Sequence, residues 1–404
     1  MKKITLLILF TLLTFQCAKR DYKYKNTMDP FTPRGLFTDL VIWPAFYSRT
    51  TTNSGQFNSS TSTSQPSNIF GYSDRIIVTS DSYSSTPPII WVSTNGSDFT
   101  KNSVKIGDCV GSNTSTGNTG CRATLVGYEN GSYMILGQKF TNAPGSQTTD
   151  AQYYGTGTNL NTITLATTNI GIYTANLSSN FIYLSGKSHI AINGTTGNAL
   201  LSTSDGVTWS TLANQNCTSL YRADNGNPTC GLVKTFNGTS WVNAGTITGG
   251  PSSNSGNFGA VYLDSAYRAW NNNSGTLSIY KSTAGTITGG ITFPAGADGN
   301  LNLSGITNNP PKLEKISTGV YLIFASNYIN NVFTYSAVRS TDGTNWSTIT
   351  PIFPTDLGTI AGIYGYTTLG DKFYAVFSFK VGTMQSQYLL SSTDGITWTK
   401  VTLP

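Results

Sequence analysis

Five short strings place an amide or a carboxylate directly before a glycine, with an aromatic ring three residues after it. They are Asn95-Gly96 with Phe99, Asp205-Gly206 with Trp209, Asn237-Gly238 with Trp241, Asp342-Gly343 with Trp346, and Asp394-Gly395 with Trp398. Side-chain oxygens of this kind can ligate a hard cation, and a carboxylate can move a proton. An active centre is needed once, however, whereas these groups recur at the same place in five of the units. Asp-Gly or Asn-Gly between apolar runs is a hairpin signal, because tight turns need φ > 0. The Ser or Thr two residues earlier (Ser93, Thr203, Ser340, Ser392) and the acid or amide itself can bond nearby backbone N–H groups. These residues are therefore read as turn formers, and no catalytic residue, metal ligand or cofactor is assigned.

The other candidates are sparse. The glutamates are Glu129, in the turn-like GYENGSY, and Glu314, read as a solvated strand residue paired with Lys312 or Lys315. His189 stands alone in GKSHIAING, with no serine-elbow or cysteine motif nearby, and is read as structural. The two TITGG segments at 246–250 and 286–290 lack the Lys-Ser/Thr of a phosphate loop and read as turns.

The elements that position these groups are strands. GVYLIFAS (319–326), KFYAVFSF (372–379) and SYMILGQKF (132–140) are apolar, aromatic and β-branched. Each unit has four strands, the recurring turn joining the third to the fourth. Units at about 38–104, 123–177, 180–213, 216–245, 256–293, 313–350 and 359–403 make seven. Repeats of this size and strand number imply an all-β fold, a β-propeller of seven four-stranded blades. Unit 216–245 is about one strand short and unit 256–293 has lost its Asp-Gly, so six blades with an inserted hairpin stays open. The ring is expected to close by blade-to-blade packing. Tyr364, Tyr366, Trp43, Tyr47, Tyr221 and Arg222 fall on first strands, innermost in a propeller, and are read as packing between blades.

The turn resembles the Asp-box, or BNR repeat, of the sialidase-like propeller superfamily, with the residue between Asp and Gly omitted. That resemblance implies, for an active member, an arginine triad, a tyrosine nucleophile activated by a glutamate, and an aspartate acid-base. None of Arg34, Arg49, Arg75, Arg122, Arg222, Arg268 and Arg339 stands in the Arg-Ile-Pro setting of the first family arginine. The expectation is a non-catalytic binding or scaffold module for an unknown protein or glycan ligand, not an enzyme. The alternative is a glycan-processing hydrolase with an unrecognised carboxylate site.

Lys2 and Lys3 precede an apolar run from Ile4 to Phe15, too short to span a bilayer, which ends at Cys17. This resembles a bacterial lipoprotein signal. Thr14, Phe15 and Gln16 depart from the usual residues before the cysteine. Residues 1–16 are read as a signal peptide and 17–37 as a tether lipidated at Cys17. Residues 38–404 are read as the propeller, with a flexible insertion at 48–68. The expected location is the bacterial envelope, on an outer-membrane or surface lipoprotein, held as a monomer through the lipid anchor. Four cysteines remain, and local pairing joins Cys109 to Cys121 and Cys217 to Cys230, around polar loops. A zinc site is disfavoured by the wide spacings and the single histidine. The formal charge of +6 is concentrated near the N-terminus, leaving no basic stripe for nucleic acid.

Overall fold

Strands that are apolar on both faces must be covered on both sides, and the second strands of the first and last repeats have this character. In Lys372–Val381 every residue from Phe373 to Phe379 is buried, and Ile76, Ile77 and Val78 of Arg75–Ser82 are fully enclosed. The fourth strand, as in Thr100–Ser103, is mostly exposed. The computed structural model describes residues 65–404 apart from short stretches, the longest at 169–180, 251–257 and 304–311.

Among the described residues, seven four-stranded antiparallel blades follow one another along the chain. Blade 1 is Pro66–Tyr72, Arg75–Ser82, Ile89–Ser93 and Thr100–Ser103. Blade 2 is Gly117–Glu129, Ser132–Ala143, Ser146–Gly157 and Thr164–Thr168. Blade 3 is Phe181–Leu184, Lys187–Gly194, Gly197–Thr203 and Ser210–Asn214. Blade 4 is Leu220–Arg222, Pro228–Cys230, Lys234–Phe236 and Trp241–Asn243. Blade 5 is Phe258–Leu263, Ala266–Asn273, Thr276–Lys281 and Gly299–Asn302. Blade 6 is Leu313–Lys315, Tyr321–Ile329, Val332–Ser340 and Ser347–Ile349. Blade 7 is Thr359–Leu369, Lys372–Val381, Met384–Ser392 and Thr399–Lys400. The protein is an all-β propeller.

The core lies between blades. One cluster joins Phe324 of blade 6 to Phe377 and Trp398 of blade 7. Another joins Trp270 and Ile279 of blade 5 to Ile323 and Val338 of blade 6. A third closes the ring, packing Ile76 and Trp91 of blade 1 on Tyr374 and Val376 of blade 7. At that closure Trp91 Nε1–H donates to the Pro404 main-chain oxygen (3.1 Å), and the Gln387 N–H donates to Gln65 Oε1 (3.0 Å). All four strands of blade 1 come from 66–103 and all four of blade 7 from 359–400, so neither blade borrows a strand.

Three boundaries differ from those read in the sequence. Blade 4 keeps four strands of only three residues each, so the short unit is complete. Blade 5 makes an excursion between its third and fourth strands. Ala284–Thr286 and Gly290–Thr292 form a hairpin that pairs in parallel with Ile247–Thr248, which displaces the fourth strand to 299–302. The first strand begins at Pro66, inside the stretch 48–68 read as an insertion, and Ser67 is buried there with its hydroxyl on the Thr79 carbonyl. Residues 1–64, with Cys17, the signal and the tether, lie outside the described residues.

Candidate functional site

The recurring turns share one geometry. Gly96, Gly206, Gly343 and Gly395 have φ of 75°, 74°, 72° and 75°, in the left-handed region. The hydroxyl two residues before the acid or amide accepts each glycine N–H, at 2.8–2.9 Å from Ser93, Thr203, Ser340 and Ser392. Oδ1 of Asn95, Asp342 and Asp394 accepts the next two N–H groups, and Oδ1 of Asp205 accepts that of Thr208. Asn237 binds the Thr239 and Ser240 N–H groups in the same way; Gly238 lies outside the described residues. The N–H groups of Asn345 and Thr344 hold Asp342 far below the usual carboxylate range. Burial pushes Asp394 upward, but the N–H groups of Thr397 and Ile396 outweigh it and its pKa is lowered.

Each turn also presses on the preceding blade. A side chain of that blade lies beneath the glycine: Tyr374 under Gly96, Tyr154 under Gly206, Arg268 under Gly343 and Leu322 under Gly395. The aromatic ring follows. Trp209 meets Tyr154 edge-on, Trp241 meets His189, Trp398 packs on Phe324, Phe99 joins the cluster of Tyr374, and Trp346 covers Gly299. The rings are not equally enclosed: Trp398 is 2 % exposed, whereas Trp209, Trp241 and Trp346 are half-buried. These turns are inter-blade latches, with their oxygens spent on backbone N–H groups.

The other sequence candidates are placed plainly. His189 is buried between Phe236 and Trp241, its Nδ1 accepting from Trp241 Nε1 at 3.2 Å. Glu129 ends a first strand at the Asn130-Gly131 turn. Glu314 pairs with Lys312 and is less solvated than expected, at 12 % side-chain exposure; Lys315 goes instead to Asp264. Tyr366 is buried against Phe324 of blade 6, whereas Tyr364 is exposed. Cys109 and Cys121 form a disulfide. The Cys217–Cys230 pairing lies outside the described residues, as do Trp43 and Tyr47.

What the sequence reading missed is a polar row across blades 1 and 2. The last residues of Arg75–Ser82 pair directly with the first strand of blade 2, Asp81 opposite Arg122 and Ser82 opposite Cys121. Arg122 lies opposite Gln138, and Gln138 opposite Gln152. Directly opposed residues share a face, so Asp81, Arg122, Gln138 and Gln152 form one continuous row. Gln138 Oε1 accepts from Arg122 Nε (3.1 Å) and Nη2 (3.0 Å), and Arg122 Cζ sits 4.5 Å from the centre of the Phe140 ring. The guanidinium is thereby fixed.

Four enclosed atoms in this region have no hydrogen-bond partner among the described residues: Asp81 Oδ1, Gln138 Nε2, Thr79 Oγ1 and Thr124 Oγ1. Each such group costs about 1–3 kcal/mol, so a cluster of them needs a reason. Burial raises the Asp81 pKa by more than Arg122 and the Ser67 hydroxyl lower it. The result is a carboxyl whose pKa burial raises, directly opposite a fixed cation. No motif announces it, since Asp81, Arg122 and Gln138 come from three strands.

No family model and no curated relative matches the sequence. Similar solved structures include a puromycin hydrolase Ser-to-Ala mutant (9 % identity, TM-score 0.44, 85 % of this chain and 54 % of that one). This chain thus spans about half of that protein. The β-propeller domain of the trilobed protease from Pyrococcus furiosus is similar over 87 % of this chain and 97 % of that one (8 % identity, TM-score 0.42). The Bacillus subtilis arabinanase Arb43A is similar over 82 % and 94 % (10 % identity, TM-score 0.32). These likenesses concern the fold. Glycoside hydrolases stand among them, and the expectation that the protein is not an enzyme is accordingly withdrawn.

Proposed function

We propose that the protein is a glycan-processing hydrolase, with Asp81 as the proton donor. The observation that carries this reading is the seam of blades 1 and 2, where Asp81, with Oδ1 unpartnered, stands opposite the fixed Arg122; burial there raises the Asp81 pKa. In its protonated form this carboxyl can donate to the departing glycosidic oxygen as the C–O bond breaks, while water supplies the hydroxyl to the sugar carbon and its remaining proton restores the acid. Arg122, fixed by Gln138 and only partly buried, would orient or neutralise an oxygen of the substrate. The recurring turns are taken as a shortened Asp-box, and Cys17 as a lipid anchor holding an exported enzyme at the envelope.

The test is release of reducing ends from a panel of plant, algal and bacterial polysaccharides. Asp81→Asn is expected to lower the rate by about 10²–10⁴-fold, the usual contribution of a general acid. It should also raise stability at pH 7, because a carboxyl with a raised pKa favours folding less as pH climbs past its unfolded value. No release from any polymer, or release that survives Asp81→Asn, would refute the proposal.

A further inference from the structure

The latch of blade 6 differs from the others at its indole. Trp209 Nε1–H donates to Thr168 Oγ1 (3.1 Å), Trp241 Nε1–H to His189 Nδ1 (3.2 Å) and Trp398 Nε1–H to the Gly395 carbonyl (3.1 Å). Trp346 Nε1 is enclosed as well, yet it has no hydrogen-bond partner among the described residues. Two more enclosed atoms share that condition, Arg268 Nε and Asp298 Oδ2, both on the blade 5 side.

Their contacts bring the three side chains together. Trp346 covers Gly299, where a Cβ would stand 3.2 Å from the indole Cδ1. Asp298 directly precedes that glycine. Its N–H donates to the Ile279 carbonyl (2.8 Å), and its carboxyl accepts the Lys281 N–H. Arg268 stands directly opposite Lys281, so the two share a face of blade 5. Arg268 is 1 % exposed, with Nη1 donating to the Gly343 carbonyl (2.6 Å) and Nη2 to the Tyr321 hydroxyl (3.1 Å). The turn that carries Trp346 therefore also clamps the guanidinium.

Two N–H donors and one carboxylate oxygen call for a partner that both accepts and donates. Water does both, and about three hydrogen bonds is the usual complement of a buried water. A halide would suit the two N–H groups but would face the Asp298 oxygen, and a metal cation would face the Arg268 charge. We propose that a single water molecule is bound between blades 5 and 6, accepting from Arg268 Nε–H and Trp346 Nε1–H and donating to Asp298 Oδ2. It does for this latch what Thr168, His189 and the Gly395 carbonyl do directly for the others. The site involves other blades than Asp81 and does not depend on the glycan reading.

The experiment is water-exchange NMR of the full chain carrying isotope-labelled tryptophan. The Nε1–H signal of Trp346, identified by its loss in Trp346→Phe, is expected to show a cross-relaxation peak to water, with the sign of a water that tumbles with the protein. In Asp298→Leu, where an apolar side chain replaces the acceptor, that peak should vanish. A crystal structure of the wild-type chain is the second measurement, and it needs no variant to fold. It should show an ordered oxygen about 2.7–3.2 Å from all three atoms. A direct bond from Trp346 Nε1–H to Asp298, no water peak, a peak indifferent to Asp298→Leu, or a Trp346 signal that moves when bromide replaces chloride would each overturn the proposal.

Discussion

The latch geometry makes one motif glycine far less replaceable than another. Gly96 and Gly395 have the same φ of 75°, so alanine pays the same left-handed strain at both, about 1–2 kcal/mol. What lies beneath them differs. At Gly395 a Cβ would stand 3.1 Å from Leu322 Cδ1, the end of a flexible side chain that can yield. At Gly96 it would fall within the van der Waals envelope of the Tyr374 hydroxyl and ring, and Tyr374 is 1 % exposed. Overpacking of that kind adds about 1–3 kcal/mol. Gly395→Ala is thus expected to cost about 1–2 kcal/mol and Gly96→Ala about 2–5 kcal/mol, the excess arising where blade 1 meets blade 7. Urea denaturation followed by tryptophan fluorescence measures both. The decisive measurement is the cycle with Tyr374→Leu, which places under Gly96 the side chain found under Gly395. In that background Gly96→Ala should cost no more than Gly395→Ala does in wild type. If Gly96→Ala is as mild as Gly395→Ala, or its cost is unchanged by Tyr374→Leu, the turns do not latch one blade to the next.

Two further outcomes follow from the same turns. Asp394→Asn should be nearly neutral at pH 7, because Asn95 and Asn237 make the same bonds, while Asp394→Ala should cost about 1 kcal/mol, as loss of a capping side chain does. Because its folded pKa is lowered, the stabilisation by Asp394 is present above the unfolded carboxylate range and fades as pH falls through the folded value. The gap between wild type and Asp394→Ala should therefore narrow on acidification, as unfolding midpoints measured across the acid range would reveal. Trp398→Ala should cost about 3–5 kcal/mol and the half-buried Trp346→Ala clearly less, by calorimetry or denaturant midpoints.

The periodic turn was readable in the sequence because its physics is local. Glycine at φ > 0, the hydroxyl two residues before the acid or amide and the Oδ1 bonds all lie within six residues, and they recur at Gly96, Gly206, Gly343 and Gly395. Repetition of that unit determined the all-β class and the propeller, since no blade can cover both of its own faces. Blade 5 escaped because its third-to-fourth connection pairs with Ile247–Thr248, a segment before the blade begins. The partners beneath the turns escaped for the same reason: nothing near Gly343 states that Arg268, some 75 residues earlier, carries it. The candidate site was decided by tertiary structure alone. Asp81 looks like any strand-end acid until pairing of blade 1 with blade 2 sets it opposite Arg122 and encloses its Oδ1. Local turn chemistry is written in neighbouring residues, whereas desolvation of a carboxyl depends on which distant strand is laid against it.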